Sequence, residues 1–162
     1  MRTPKIYLET TLFNFYVDED RGFAHADTVA LFDEIAAGSF AAYTSVVVVE
    51  ELAKAPPEKY EKMAKLLQQH NISILELNNE ADRLADVYVA EGVIPLKYRN
   101  DGLHIAIATV NDLEMIISMN FQHIVKRKTI LATGKINHLN GYRAIEIYSP
   151  MEVVGNENAE SH

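Results

Sequence analysis

Hydrophobic positions along the chain follow two alternating periods. Residues 4–9 place Ile6 and Leu8 on either side of the aromatic Tyr7, as a buried strand would. Residues 24–37, AHADTVALFDEIAA, switch to helical spacing: Val29, Leu31, Phe32 and Ile35 are apolar, Asp33 and Glu34 face away, and Gly38 supplies a stop. FAAYTS is a short strand-like segment, and VVVVEELAKAP after it is ambiguous. Its four valines favour a strand by propensity, whereas EELAK favours a helix. PEKYEKMAKLLQQH reads as a helix with Pro57 near its first turn and Met63, Leu66 and Leu67 inward. ISILEL is a strand, NEADRLADVYVAEG a helix ending at Gly92, and Pro95 breaks the chain. RNDGLHIAIATVND is apolar nearly all round, which predicts a buried helix, and LEMIIS after it is a strand. NFQHIVKRK reads as a loop or short helix, TILATGKINHLNG as a broken helix and RAIEIYS as the last strand. The alternation predicts an α/β domain with a largely parallel sheet over residues 1–151, followed by a flexible polar tail over 152–162.

Composition bounds what such a domain can do. At 162 residues and 48% hydrophobic, the chain has the length and apolar content of one domain with a sizeable core. No apolar run approaches the roughly 20 residues needed to cross a bilayer, and MRTPK leads into a strand rather than a signal-peptide core. The expectation is a cytoplasmic protein with no membrane partner. The absence of cysteine fits that compartment and excludes thiol nucleophiles, disulfides and thiolate zinc sites, so any metal would be held by oxygen or imidazole. A net charge of -8 argues against a surface that is basic throughout, while leaving room for a local basic rim.

The candidate chemistry lies in acids at the ends of elements. In an open α/β sheet the functional crevice lies outside the carboxyl ends of the strands. Glu9 ends the first strand, Asp101 opens the apolar helix, and Asn120 follows the fourth strand. Each also has an ordinary structural role: Glu9 can cap the helix begun by Thr10 and Thr11, and Asp101, with Asn100, can serve as an N-cap. Glu50 and Glu51 lie on the ambiguous valine segment, where one of the two can simply point to water. Together the acids say more, because carboxylates brought within about 4 Å of one another repel by several kcal/mol unless a cation sits among them. Hard oxygen donors without thiols select Mg²⁺ or Mn²⁺, whose chemistry beside a phosphate is phosphodiester hydrolysis.

IYLETTLFNFY, TSVVVVEEL and NDGLHIAIATVNDLEMIISMNFQHI, in that order and spacing, resemble the PIN-domain ribonucleases, particularly the toxin-like, VapC-type members of prokaryotic toxin–antitoxin systems. The resemblance extends to about Met151. It implies a three-layer α/β PIN-like fold with a central, mostly parallel sheet flanked by helices. It also implies a Mg²⁺- or Mn²⁺-dependent endoribonuclease acting on RNA, a homodimer, and an antitoxin protein as partner. The four family acids fall on Glu9, Glu51, Asp101 and Asn120, with Glu9, Glu51 and Asp101 as metal ligands. Two positions depart from the family pattern: Glu9 stands where aspartate is usual, and Asn120 where an acid is usual. With three carboxylates left, the resemblance implies one ion rather than two. It also makes the valine segment a helix running on from Ser45, with Glu51 in its second turn. Thr10 and Ser118 become small hydroxyl residues placed to hydrogen-bond carboxylates or water, with capping as their ordinary alternative.

Other residues complete the picture. His104 lies three residues past Asp101 on roughly the same helix face and reads as a hydrogen-bonded histidine within an apolar helix, and His123 as a packed one. Lys126, Arg127 and Lys128 form a candidate phosphate-binding rim, with Lys97 and Arg99 a second; adjacent charges are more often a solvated turn. The alternative function is a PIN-like domain that has lost catalysis and binds nucleic acid or protein. A phosphoacceptor domain using an aspartyl nucleophile fits poorly with glutamate at the end of strand one. Nucleotide-binding glycine loops and a serine elbow are absent.

Overall fold

A computed structural model describes residues 2–155. β1 (Lys5–Leu8), α1 (Thr10–Val17), α2 (Phe23–Ala36) and β2 (Ala41–Ser45) come first, followed by α3 (Val46–Leu52), α4 (Pro57–Gln69) and β3 (Ser73–Leu75). α5 (Asn79–Ala90), α6 (Arg99–Val110), β4 (Met115–Ile117), α7 (Arg127–Leu139), β5 (Glu146–Tyr148) and α8 (Pro150–Val153) complete the order. The strands form one sheet in the order β3-β2-β1-β4-β5, and every pair is parallel. A parallel sheet is covered by helices on both faces, so its central strand buries consecutive side chains rather than alternate ones. β1 does so: Ile6, Tyr7 and Leu8 are all fully buried.

The valine segment is a helix. Ser45 ends β2 with extended backbone (φ -143°, ψ 168°) and its hydroxyl accepts the Val48 N–H at 3.4 Å, capping α3. Val47, Val48 and Leu52 then pack inward. A cap and a buried face together outweigh β-propensity, which spans only about 1 kcal/mol per residue.

Three expectations are corrected. α7 runs unbroken through Gly134, because one glycine costs about 1 kcal/mol while buried Thr129, Thr133, Ile136 and Asn137 hold the helix down. Asn137 accepts the Tyr88 hydroxyl at 2.5 Å and donates to Thr109 Oγ1 at 3.2 Å, linking α7 to α5 and α6. The N-cap of α6 is Tyr98, after a single 3-10 turn, so Asp101 lies inside the first helical turn. Finally, the chain past residue 151 stays structured through α8, where Ser149 and Glu152 form a reciprocal capping box. The remainder of the expected tail, residues 156–162, lies outside the described residues.

α6 is the most enclosed helix, with every residue from Gly102 to Thr109 buried, and it packs along α5. A Cβ at Gly102 would meet Ile94 Cγ1 and Tyr88 Cδ2 at 3.6 Å, an ordinary contact. Gly102→Ala is therefore expected to stabilise the protein by about 0.5–1 kcal/mol, because helical alanine loses less backbone entropy than glycine. Urea denaturation checks this through a rise in midpoint at constant slope.

Candidate active site

The strand order reverses at the middle of the sheet. From β1 the chain steps outward to β2 and β3, then returns to the other side of β1 for β4 and β5. Such a reversal opens a crevice at the carboxyl ends of the two strands where it occurs, here β1 and β4. Glu9 immediately follows β1, and Ser118 and Asn120 follow β4; α3 brings Glu51 from beyond β2, and the first turn of α6 brings Asp101.

Glu9 is 3% exposed and is the N-cap of α1. Its Oε1 accepts three hydrogen bonds, from the Thr11 N–H (3.1 Å), the Thr11 hydroxyl (2.5 Å) and the Ser118 hydroxyl (2.7 Å). Those two hydroxyls in turn accept the Met119 and Asn120 N–H groups at 2.8 and 2.9 Å, fastening the loop after β4 to the start of α1. Burial pushes the Glu9 carboxyl above its usual pKa, against the nearby charge of His104 and the bonds from Thr11 and Ser118.

Glu51 is held from two sides. Its Oε1 accepts the Thr10 hydroxyl at 2.6 Å and lies 2.7 Å from His104 Nε2. Burial alone would raise this carboxyl, but the hydrogen bond and charge of His104, together with Thr10 and Lys54, bring it below the ordinary value. His104 is 0% exposed, and its Nδ1 lies 2.7 Å from the Tyr7 hydroxyl, itself 2.7 Å from Ser45 Oγ. Burial works against a charged imidazole, yet the Glu51 bond and the charges of Glu9, Glu51 and Asp101 outweigh it and raise the His104 pKa.

Asp101 Oδ2 lies 3.0 Å from His123 Nδ1, and the His123 ring lies against Tyr98 with centroids 4.2 Å apart. Burial raises the Asp101 carboxyl, opposed by His104, His123 and the neighbouring Asn120 amide. Asn120 Oδ1 accepts the His123 N–H at 3.0 Å, so its carbonyl is engaged with the loop backbone.

The structure thus brings Glu9, Glu51 and Asp101 around His104, with Thr10, Ser118 and Asn120 bonded into the same network. Tyr7, His104 and His123 are the linking groups. His104 was legible only as a partner within three residues of Asp101, whereas Tyr7 looks like any buried strand residue. Among the basic residues, Lys126 occupies the N-cap position of α7 without a side-chain capping bond, and Arg127 and Lys128 are exposed in its first turn, none in an ion pair among the described residues. Arg99 is committed to Asp82 at 2.7 Å and Asp86 at 2.8 Å. The hollow between α5 and α7, about 230 Å³ and lined by Val87, Ala132 and Leu139 among others, lies away from the acids.

The donor set suits a hard divalent cation in kind. Glu9 and Glu51 each leave Oε2 without a hydrogen bond among the described residues, and no lysine or arginine forms an ion pair with any of the three acids. As the side chains stand, no three carboxylate or imidazole groups among the described residues converge closely enough to enclose a metal ion.

A solved structure similar to this chain is that of VapBC2 from Rickettsia felis bound to a DNA fragment from their promoter. The similarity covers 90% of this chain and 98% of that one, with a TM-score of 0.57 and 13% sequence identity. It establishes the fold as PIN-like. No protein-family model matches the chain, and no curated protein does.

The buried histidine gives stability a pH dependence of definite sign. Its folded pKa lies above the ordinary 6.5, so the stabilisation it brings is complete below about pH 6.5 and is lost as pH rises through the folded value. Without divalent metal, the urea midpoint is expected to be higher at pH 6 than at pH 8.5, and that difference is expected to shrink in His104→Gln.

Proposed function

We propose that this chain is a metal-dependent endoribonuclease that hydrolyses RNA phosphodiester bonds, in a toxin–antitoxin setting. The observation that carries the reading is the gathering of Glu9, Glu51 and Asp101, from three distant parts of the chain, around the carboxyl ends of β1 and β4. Those acids would hold one Mg²⁺ or Mn²⁺. When bound, the ion acidifies a water and takes up charge developing on the phosphate.

The chain's own groups prepare that site. Thr11 and Ser118 bond Glu9, Thr10 and His104 bond Glu51, and His123 bonds Asp101, which restricts the conformations each acid must leave to meet an ion or substrate. Catalytic roles fall on Glu9, Glu51, Asp101 and Asn120, whose amide lies beside Asp101 and whose Oδ1 accepts the His123 N–H with one of its two lone pairs. Lys126, Arg127 and Lys128 lie at the start of α7, near the loop that follows Asn120, and would draw RNA phosphates toward the acids. The likeness to the VapBC2 complex, which is bound to promoter DNA, supports an antitoxin protein as partner. The reading includes a homodimer and a cytoplasmic setting; no helix among the described residues is long and apolar enough to cross a membrane.

A second reading, a catalytically impaired PIN-like domain that binds nucleic acid or protein, is favoured by one observation: the carboxylates do not converge on a single point. Titration separates the two. The nuclease reading expects Mn²⁺-dependent cleavage of single-stranded RNA, falling by about 100-fold or more in Asp101→Asn with unchanged far-UV circular dichroism, since even outer-shell partners of a metal contribute about 10–100-fold. Full activity in that variant, or no cleavage by the wild-type chain at any Mn²⁺ or Mg²⁺ concentration, overturns it.

A further inference from the structure

Tyr7 carries a hydroxyl into the middle of the central strand. The residue is fully buried, in register with Tyr43 on one side and Ile116 on the other, where a phenylalanine would fill the same space. A buried hydroxyl is costly unless bonded. This one has two partners, Ser45 Oγ and His104 Nδ1, each at 2.7 Å.

Those bonds close a circuit. Ser45 is the N-cap of α3, and Glu51 lies in the second turn of the same helix. From Ser45 the hydrogen bonds run to Tyr7 on β1, to His104 on α6, and from His104 Nε2 back to Glu51 Oε1 at 2.7 Å. An ionised carboxylate only accepts, so Nε2 carries the hydrogen facing Glu51. Both ring nitrogens of a fully buried imidazole are thereby committed, and the ring cannot turn over without breaking both bonds. The Glu51 side chain, 24% exposed, keeps Oε1 toward this circuit.

We propose that Tyr7 is a positioning residue: its hydroxyl, acting through His104, fixes the orientation of Glu51, turning Oε1 inward and leaving Oε2 for substrate or cation. The inference rests on the reading of Glu51 as a functional carboxylate. Groups that hydrogen-bond and orient a ligating side chain typically matter by about 10–100-fold in activity or affinity, and loss of a single hydroxyl belongs at the low end of that range.

The test uses the full chain with Mn²⁺ and single-stranded RNA, and four proteins: wild type, Tyr7→Phe, His104→Gln and the double variant. Tyr7→Phe is expected to lower kcat about tenfold with KM unchanged within about twofold. On the His104→Gln background the same change is expected to have little further effect, because the route from Tyr7 to Glu51 is already cut. Wild-type kcat in Tyr7→Phe, or an equal fall on both backgrounds, overturns the proposal. A second measurement needs no activity: the side-chain ¹⁵N and ¹H resonances of His104 are expected to move in Tyr7→Phe and in Glu51→Gln. His104 resonances unchanged in Tyr7→Phe overturn the proposal even in a chain that cleaves nothing. Should those resonances move in both variants while wild type cleaves no RNA, the link from Tyr7 through His104 to Glu51 stands and the nuclease reading falls.

Discussion

The bond between His104 Nε2 and Glu51 Oε1 joins the interior of α6 to the second turn of α3, and the arrangement of acids depends on it. Burying carboxylates near one another is unfavourable twice over, once for lost hydration and once for mutual repulsion. Here one enclosed imidazole answers to Glu9, Glu51 and Asp101 together, so it relieves both terms at a single point. Its effect is uneven. Glu51, in direct contact, is brought below its ordinary pKa, while Glu9 and Asp101, acted on only through space, remain above theirs because burial wins. Two neighbouring kinds of acid result: one held ionised and two that take a proton more readily than usual.

Topology explains why these residues meet at all. The sheet order puts β1 between β2 and β4, so the first loop of the chain and the loop after β4 emerge side by side although 109 positions separate Glu9 from Ser118. Thr11 and Ser118 then lock the two loops together through Glu9, each hydroxyl donating to its carboxylate and accepting a backbone N–H from the β4 loop. Capping and site-building are thus the same bonds. The capping role of Glu9, which the sequence offers as an alternative to a functional one, is present in the structure without displacing the other, because it occupies only Oε1.

Much of this was legible in the residues, for physical reasons that also mark where legibility ends. Strands and helices followed period, and the all-parallel order followed from their alternation. The valine segment was not readable from propensity, since its outcome hangs on one serine cap and on burial of Val47 and Val48. α7 survived its glycine because Asn137 is tied into Tyr88 and Thr109, contacts separated by 49 and 28 positions that no local window contains. The acids at element ends could be named in advance, but Tyr7 could not, because a buried tyrosine and a buried phenylalanine make the same pattern. Asn120 was legible as a position, but that its carbonyl would also accept the His123 N–H and hold the turn there was not.

The division of labour between carboxylate oxygens bears on the choice of glutamate at position 9. Relative to aspartate, glutamate adds one methylene between backbone and charge; here one oxygen folds back onto the start of α1 while the other takes no hydrogen bond among the described residues. Oε1 of Glu9 takes three donors, as many as a carboxylate oxygen ordinarily accommodates, which leaves Oε2 as the only atom able to meet anything new. Glu51 shows the same split, with Thr10 and His104 on Oε1. Each acid therefore presents one oxygen whose direction is set by bonds on the other. Orientation of this kind lowers the entropy lost on binding and narrows the choice of ligand to one that accepts a fixed pair of oxygens. A group that sets such a direction therefore belongs to the working of the site although it never touches what binds there.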